Sequence, residues 1–313
     1  MAKAVKIPPD IAEAHPQQWF AEAMRVRFEE VLRFVDAARD PDEIEGVHDI
    51  RVAIRRLRSL IRDFTGVAGD KTLSKFSGNL KETAGRLGVV RDLDVLIEAI
   101  KKASSDAPED AAAGISELIG HYRERRTKAL RLASTALGDD AVDGLKKQLE
   151  AACRAAVRQP GLFDSPDVRR EARITITDNL DGFRSKSGAL LRPTAAKKLH
   201  KLRIAAKRLR YSLELHSPHF EGRLDDAASE VKQMQGHLGD LHDCDVWMDE
   251  LRMYLERKPA KGSKEKRAAA SWLLSQFARQ RNKAYIAAFE LWSKWEAEDL
   301  INGLGRILKD SSR

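Results

Sequence analysis

Val47-His48-Asp49-Ile50-Arg51-Val52-Ala53-Ile54-Arg55-Arg56-Leu57-Arg58 returns later in the chain as Leu199-His200-Lys201-Leu202-Arg203-Ile204-Ala205-Ala206-Lys207-Arg208-Leu209-Arg210. A histidine, an arginine three residues on, a cation pair and a further arginine keep identical spacings, between apolar residues in register. A repeat is read before anything else, because missing it misassigns the whole fold. On a helix advancing about 100° per residue, Arg51, Arg55, Arg58 and Arg62 fall within an arc of about 80° counted from His48. Val47, Ile50, Ile54, Leu57, Ile61 and Phe64 fill the adjacent arc, while Arg56 points elsewhere, away from that seam. His200, Arg203, Lys207 and Arg210 repeat the stripe, with Leu199, Leu202, Ala206, Leu209 and Leu213 beside it. A charged helix face is ordinarily a solvated one laced with i,i+4 ion pairs. Here the only carboxylate along the stripes is Glu214, opposite Arg62 at the far end. Such a row of cations repels itself and is expected to be neutralised by an anion from outside.

Two further blocks recur in the same order. Lys81-Glu-Thr-Ala-Gly85-Arg-Leu-Gly88-Val-Val-Arg91-Asp92-Leu-Asp94-Val95 matches Lys232-Gln-Met-Gln-Gly236-His-Leu-Gly239-Asp-Leu-His242-Asp243-Cys-Asp245-Val246. More weakly, Tyr122, Arg126 and Lys128 match Phe277, Arg281 and Lys283. Strand signals are almost absent; Ile174-Thr-Ile-Thr sits inside an amphipathic helical stretch. Long segments of 3.6-residue apolar period, broken by Gly, Pro and Asp, predict an all-α fold. Helices are expected near 17–39, 47–64, 71–87, 92–104, 110–137 and 140–157. After a break at Gln159-Pro160-Gly161 they follow near 167–184, 194–216, 223–238, 243–257, 264–295 and 299–308. Lys186–Pro193 and Lys258–Ser263 read as loops. The expected architecture is two four-helix-type bundles from an internal duplication, residues 1–158 and 159–313. A pseudo-twofold relation between them would bring both stripes to one central basic cleft or pore.

Composition agrees with a localised charge. The net charge is +8 over 313 residues, yet 46–63 alone carries five Arg against two Asp and 195–214 seven Lys or Arg against one Glu. The rest of the chain therefore sums to about −1. Basicity confined to two helices is the footprint of an anionic ligand. Cys153 and Cys244 form neither a C-x-x-C pair nor a disulfide framework, which fits a reduced cytoplasmic setting. The first residues lack the apolar core of a secretory signal, and no run reaches bilayer-spanning length, so no membrane partner is expected.

The glycine pairs Gly85/Gly88 and Gly236/Gly239 sit late in helices, where each costs about 1 kcal/mol relative to Ala. They are read mainly as close packing plus a C-cap before the next helix, with room for an elongated ligand beside Lys81 and Lys232. Asp92-x-Asp94 and Asp243-x-Asp245 invite a metal, but carboxylates amid arginines fit a cap and an Arg partner better, and no metal is expected. Arg126 and Arg281 lie on inward seams and need a buried partner, an Asp or the ligand. His48 and His200 can donate to an anionic oxygen, and no nucleophile, phosphate loop or metal cluster accompanies them as catalysts.

The paired H-x-x-R-x-x-x-[RK]-R-x-R helices, each followed by Lys…G-x-x-G-x-x-[RH]-D-x-D-V, resemble the conserved histidine α-helical domain, CHAD. The resemblance runs roughly from Gln17 to Leu308. It implies two pseudo-symmetric helical bundles around a basic pore, binding of inorganic polyphosphate and association with polyphosphate granules. The basic and histidine positions it carries over are His48, Arg51, Arg55, Arg58 and Lys81, with His200, Arg203, Lys207, Arg210 and Lys232. Arg62, Arg126 and Arg281 join this set from the residue reading. Many relatives carry a triphosphate tunnel domain with an alternating Glu/Lys strand motif. Asp42-Glu-Ile-Glu-Gly-Val reads instead as a loop before the signature helix, so hydrolase activity is not carried over. The expected function is non-catalytic polyphosphate binding without a cofactor. Nucleic-acid binding is the alternative, disfavoured because the stripes hold no aromatics to stack on bases and no Asn or Gln to read edges. An enzyme using His48 or His200 ranks third.

Overall fold

A computed structural model describes Val5, Ile7 and residues 15–63, 70–158, 167–256 and 264–310. The described residues form eleven α-helices and no strand, as the apolar periodicity predicts. In chain order these are α1 (Pro16–Arg33), α2 (Val35–Arg39), α3 (Ile44–Asp63), α4 (Lys71–Ser104), α5 (Glu109–Ser134) and α6 (Asp139–Arg158). Then come α7 (Val168–Ser187), α8 (Ala196–His216), α9 (Asp225–Glu256), α10 (Lys264–Ala297) and α11 (Leu300–Asp310).

The two signature stretches are the cores of α3 and α8. Val47, Ile50, Ile54, Leu57 and Ile61 on α3, and Leu199, Leu202, Ala206, Leu209 and Leu213 on α8, are each no more than 2% exposed. The apolar arc therefore packs inward as its spacing requires; Phe64 lies outside the described residues. Burying one such Leu or Ile contributes about 1.5–3 kcal/mol, so these seams fix the rotation of both helices about their axes.

Two compact units result, and both draw on both halves of the sequence. The first takes residues 1–94, 126–176 and 211–223; the second takes 95–125, 177–210 and 224–313. The limits fall inside α4, α5, α7 and α8, so they cut across the sequence halves 1–158 and 159–313. In the first unit α1 packs on α3 and α6, and α2 on α3, around Trp19, Phe20, Met24, Phe28, Phe76 and Ile54. Gly46 is where α3 passes α2: a Cβ there would sit 2.2 Å from the Ala37 carbonyl oxygen. In the second unit α9 and α10 run along each other, with Phe277, Phe183 and Trp295 fully buried.

Three local expectations are corrected. The breaks predicted after Leu87 and Leu238 do not occur: α4 and α9 run unbroken through Gly85, Gly88, Gly236 and Gly239. Glycine penalties of about 1 kcal/mol each are outweighed by the buried rows on either side, Leu80, Leu87, Val90 and Leu93 in α4 and Val231, Leu238, Leu241 and Met248 in α9. The Asp-x-Asp pairs are therefore mid-helix and cap nothing. The loop read at 42–47 stops early, since α3 begins at Ile44. Finally, the loop read at Lys186–Pro193 is partly helical: α7 runs to Ser187 and a 3-10 turn covers Gly188–Leu191. The break at 159–161 and the loop at 258–263 lie outside the described residues.

Candidate functional site

The first unit holds His48, Arg51, Arg55, Arg58 and Arg62 on α3, Lys81 on α4 and Arg126 on α5. The seam turned inward leaves His48, Arg51, Arg55 and Arg58 half-buried and Arg62, at the end of the arc, exposed. Its members are not alike. Arg51 Nη1 donates to the Gly88 carbonyl at 2.9 Å and approaches Asp92 Oδ1 at 3.5 Å. The guanidinium lies against Gly88: a Cβ at that position would be in ordinary contact with it, at 3.5 Å. Arg62 pairs with its neighbour Asp63 at 2.6 Å. These partners correct the expectation of a stripe without acids; Asp92 comes from another helix, which a single-helix projection does not show.

Arg55 and Arg58 have no hydrogen-bond or ion-pair partner among the described residues, and the Nε of each is buried. Burial, and the like charge of Arg62, push the Arg58 guanidinium below its ordinary range. Burial likewise lowers Arg51 despite Asp92, with Arg55 adding to the effect. His48 is held below the usual imidazole range by burial first and then by Arg91. This is a cluster of mutually destabilised positive charge, the condition an incoming anion relieves. Lys81 is exposed on α4.

The second unit holds His200, Arg203, Lys207 and Arg210 on α8, Lys232 on α9 and Arg281 on α10. Arg203 and Lys207 are half-buried and Lys232 is exposed. Arg203 lies beside Gly239, its Nε 3.9 Å from where a Cβ would be, as Arg51 lies beside Gly88. Arg210 is buried and donates to Gln235 Oε1 at 3.2 Å. His200 faces His242, Nδ1 to Nδ1, at 3.2 Å, a partner the sequence reading did not assign to the site. The signal was present, since His242 occupies the [RH] position of the repeated block.

Arg126 and Arg281 make the same contacts in their own units. Arg126 Nε donates to Asp94, with Nη1 to the Pro41 carbonyl at 3.1 Å. Arg281 Nε donates to Asp245 at 2.6 Å, with Nη2 to the Pro193 carbonyl at 2.9 Å. Each joins the Asp-x-Asp helix to the segment that leads into a signature helix, so the buried partner expected for these arginines is the second Asp. Charge-assisted bonds of this kind are among the stronger ones in a protein.

Arg56 is the clearest departure from the helical projection. Its side chain is 9% exposed and lies 3.8 Å from Glu30, which also holds Arg27 at 2.5 Å. A cavity of about 20 Å³, lined by Arg27, Arg56, Ser59, Tyr211 and Glu214, adjoins this network. Arg56 is thus a core ion-pair residue and not a solvated one. Arg208, its counterpart, is exposed and lines an open groove with Lys186, Lys201 and Asp178.

Glu45, His48 and Asp49 place one potential ligand atom each within 4.8 Å of one another, the one such group among the described residues. Arg91 lies 3.3 Å from Glu45 and opposes a cation there. No helix among the described residues is long and apolar enough to cross a membrane.

A family model for the CHAD domain matches residues 22–252. Two uncharacterized proteins of Mycobacterium tuberculosis, MT2285 and Rv2226, are 30% identical over 233 residues, covering 71% of this chain and 43% of theirs. The chain thus spans less than half the length of these relatives. The crystal structure of the CHAD domain from the plant Ricinus communis aligns with 92% of this chain and 95% of its own, at a TM-score of 0.72 and 22% identity. PptA from Streptomyces chartreusis aligns with 91% and 99%, at 0.65 and 16% identity. At such identities the likeness is one of fold. With a family model matching well over half of its length, this chain belongs to the CHAD domain family.

Proposed function

We propose that this chain binds inorganic polyphosphate without transforming it, through the cation stripes of α3 and α8, and that it does so at polyphosphate granules. The observation that carries the reading is the pair Arg55 and Arg58, whose guanidiniums have no partner among the described residues and whose Nε atoms are buried. A buried guanidinium N–H left without an acceptor is costly, and a ligand supplying acceptor oxygens to these half-buried cations offsets that cost. Along α3, Arg51 to Arg62 spans about 16 Å at 1.5 Å per residue, a row that suits a linear polyanion better than a compact one. Membership in the CHAD family supports the same ligand class. The stripes offer neither a stacking ring nor an edge-reading amide, which places nucleic acid second.

Isothermal titration with long-chain polyphosphate at two salt concentrations tests the reading. Log affinity is expected to fall with log salt at a slope of about −0.7 to −0.9 per neutralised phosphate. Absence of binding heat and of salt dependence contradicts it. Stronger displacement of labelled polyphosphate by single-stranded RNA than by unlabelled polymer would reverse the order of ligands. Release of phosphate with Mg²⁺, abolished by His48→Ala, would make the protein an enzyme.

A further inference from the structure

We propose that His242 is a further polyphosphate-contacting residue, and that His200 and His242 together form a proton-linked phosphate site that the α3 stripe lacks. The proposal rests on the polyphosphate reading above and adds a residue and a regulation to it.

The geometry decides how many protons the pair can hold. The two Nδ1 atoms are 3.2 Å apart, with ring centroids at 4.2 Å. At that distance one Nδ1–H donates and the other Nδ1 accepts. The accepting ring therefore carries its own hydrogen on Nε2, while the Nε2 of the donating ring is bare. Such a neutral pair offers one N–H donor and one lone pair at its outer nitrogens. One added proton on the bare Nε2 gives a pair of charge +1 with two outer N–H donors, the inner bond intact. A second proton would have to displace that bond. A phosphate, which only accepts, is served by the singly protonated form.

The surroundings keep the pair neutral until an anion arrives. Arg203 and Lys207, on α8, are the charged side chains acting on both rings. On α9 the neighbouring acids are Asp243 and Asp245, and Asp245 is held by Arg281 from α10. Burial first, then Arg203, lowers His200 and brings His242 down to about 4. A phosphate docked on Arg203 and Lys207 offsets those charges and favours the imidazolium, so ligand and proton bind together. In the first unit the position matching His242 is Arg91, held at 3.3 Å by Glu45, and His48 has no imidazole beside it among the described residues.

Titration calorimetry with long-chain polyphosphate, in two buffers of different ionisation enthalpy at pH 6.5, counts the protons taken up. The wild type is expected to take up as much as about one proton more per chain than His242→Gln. Its affinity should rise by up to about tenfold per pH unit from pH 8 to 6 relative to that variant. The polymer's own terminal phosphates titrate equally in both and cancel in the difference. Should His242→Gln lose helicity, His200→Gln substitutes for it. The wild-type ring resonances, followed with pH with and without polyphosphate, read the same linkage with no variant: both should titrate higher in the complex. Binding with equal proton uptake in wild type and variant, or with unmoved ring titrations, overturns the proposal. Absence of polyphosphate binding at every pH overturns the function on which it rests.

Discussion

Arg56 and Arg58 sit two residues apart on one helix with the same charge, and their surroundings give them opposite roles. Arg58→Ala removes a cation with no partner among the described residues, so folding should be unaffected while polyphosphate affinity drops by about 1.5–3 kcal/mol, the worth of a charge-assisted hydrogen bond. Arg56→Ala withdraws one of the two cations around the buried Glu30 carboxylate and should cost about 2–3 kcal/mol of stability. Thermal denaturation beside titration calorimetry separates the two effects; a fall in melting temperature for Arg58→Ala alone would reverse the assignment. The helical projection misread Arg56 because it gives angles and not neighbours: Glu30 stands on α1, out of reach of any local pattern. The same limit hid Asp92 behind Arg51. What spacing did show was which side chains share an arc, and the buried seam confirms that. Acid sensitivity also belongs to single residues. His216 stacks on Trp19 at 5.6 Å, His219 meets the same ring at 5.1 Å, and both imidazoles are held well down by burial, His219 at about 4. Since both are lowered from an unfolded value near 6.5, the folded state prefers them neutral. Stability is therefore complete above about pH 6.5 and declines as pH falls toward 4, by at most about 1.4 kcal/mol per pH unit for each histidine. Melting temperature between pH 7.5 and 4.5 should show that decline, and His219→Gln should make it shallower; an identical profile would contradict the account.

At the scale of elements, glycine has two meanings that its position in the sequence does not distinguish. Gly85 stands in open space on the exposed side of α4, with nothing within 4 Å of a Cβ. Gly46 has the Ala37 carbonyl oxygen at 2.2 Å from the same atom. Gly85→Ala should stabilise the protein by up to about 1 kcal/mol through helix propensity. Gly46→Ala forces α2 and α3 apart and should destabilise it by more than that gain. Denaturant midpoints of the two variants check the pair, and equal shifts would mean that helix propensity alone governs both. The all-α class and the course of α3 and α8 were legible because one buried face per helix leaves a 3.6-residue period. The unbroken course of α4 and α9 was not legible. A glycine pair before an acidic turn looks like a helix end, and only tertiary burial on both sides of it keeps the helix going. Likewise Arg126 and Arg281 announced a buried partner by their place on an inward seam. Which partner depended on Pro41 and Pro193, distant in sequence, delivering a carbonyl beside the Asp.

Across the whole molecule, the net charge of +8 is concentrated in two stretches, and the account turns on whether location or total charge binds the ligand. A general field attracts any polyanion and responds equally to the loss of any two cations. A defined track responds to the loss of those that face it. The direct measurement compares two double variants of equal charge change, titrated with long-chain polyphosphate over a range of salt. Arg55→Ala with Arg58→Ala removes two half-buried guanidiniums that have no partner among the described residues, whereas Lys201→Ala with Arg208→Ala removes exposed cations lining the groove with Asp178. The account predicts a large affinity loss for the first pair, with a salt slope shallower by about 0.7–0.9 per lost contact, and near-wild-type values for the second. Equal losses and equal slopes in the two pairs would contradict it.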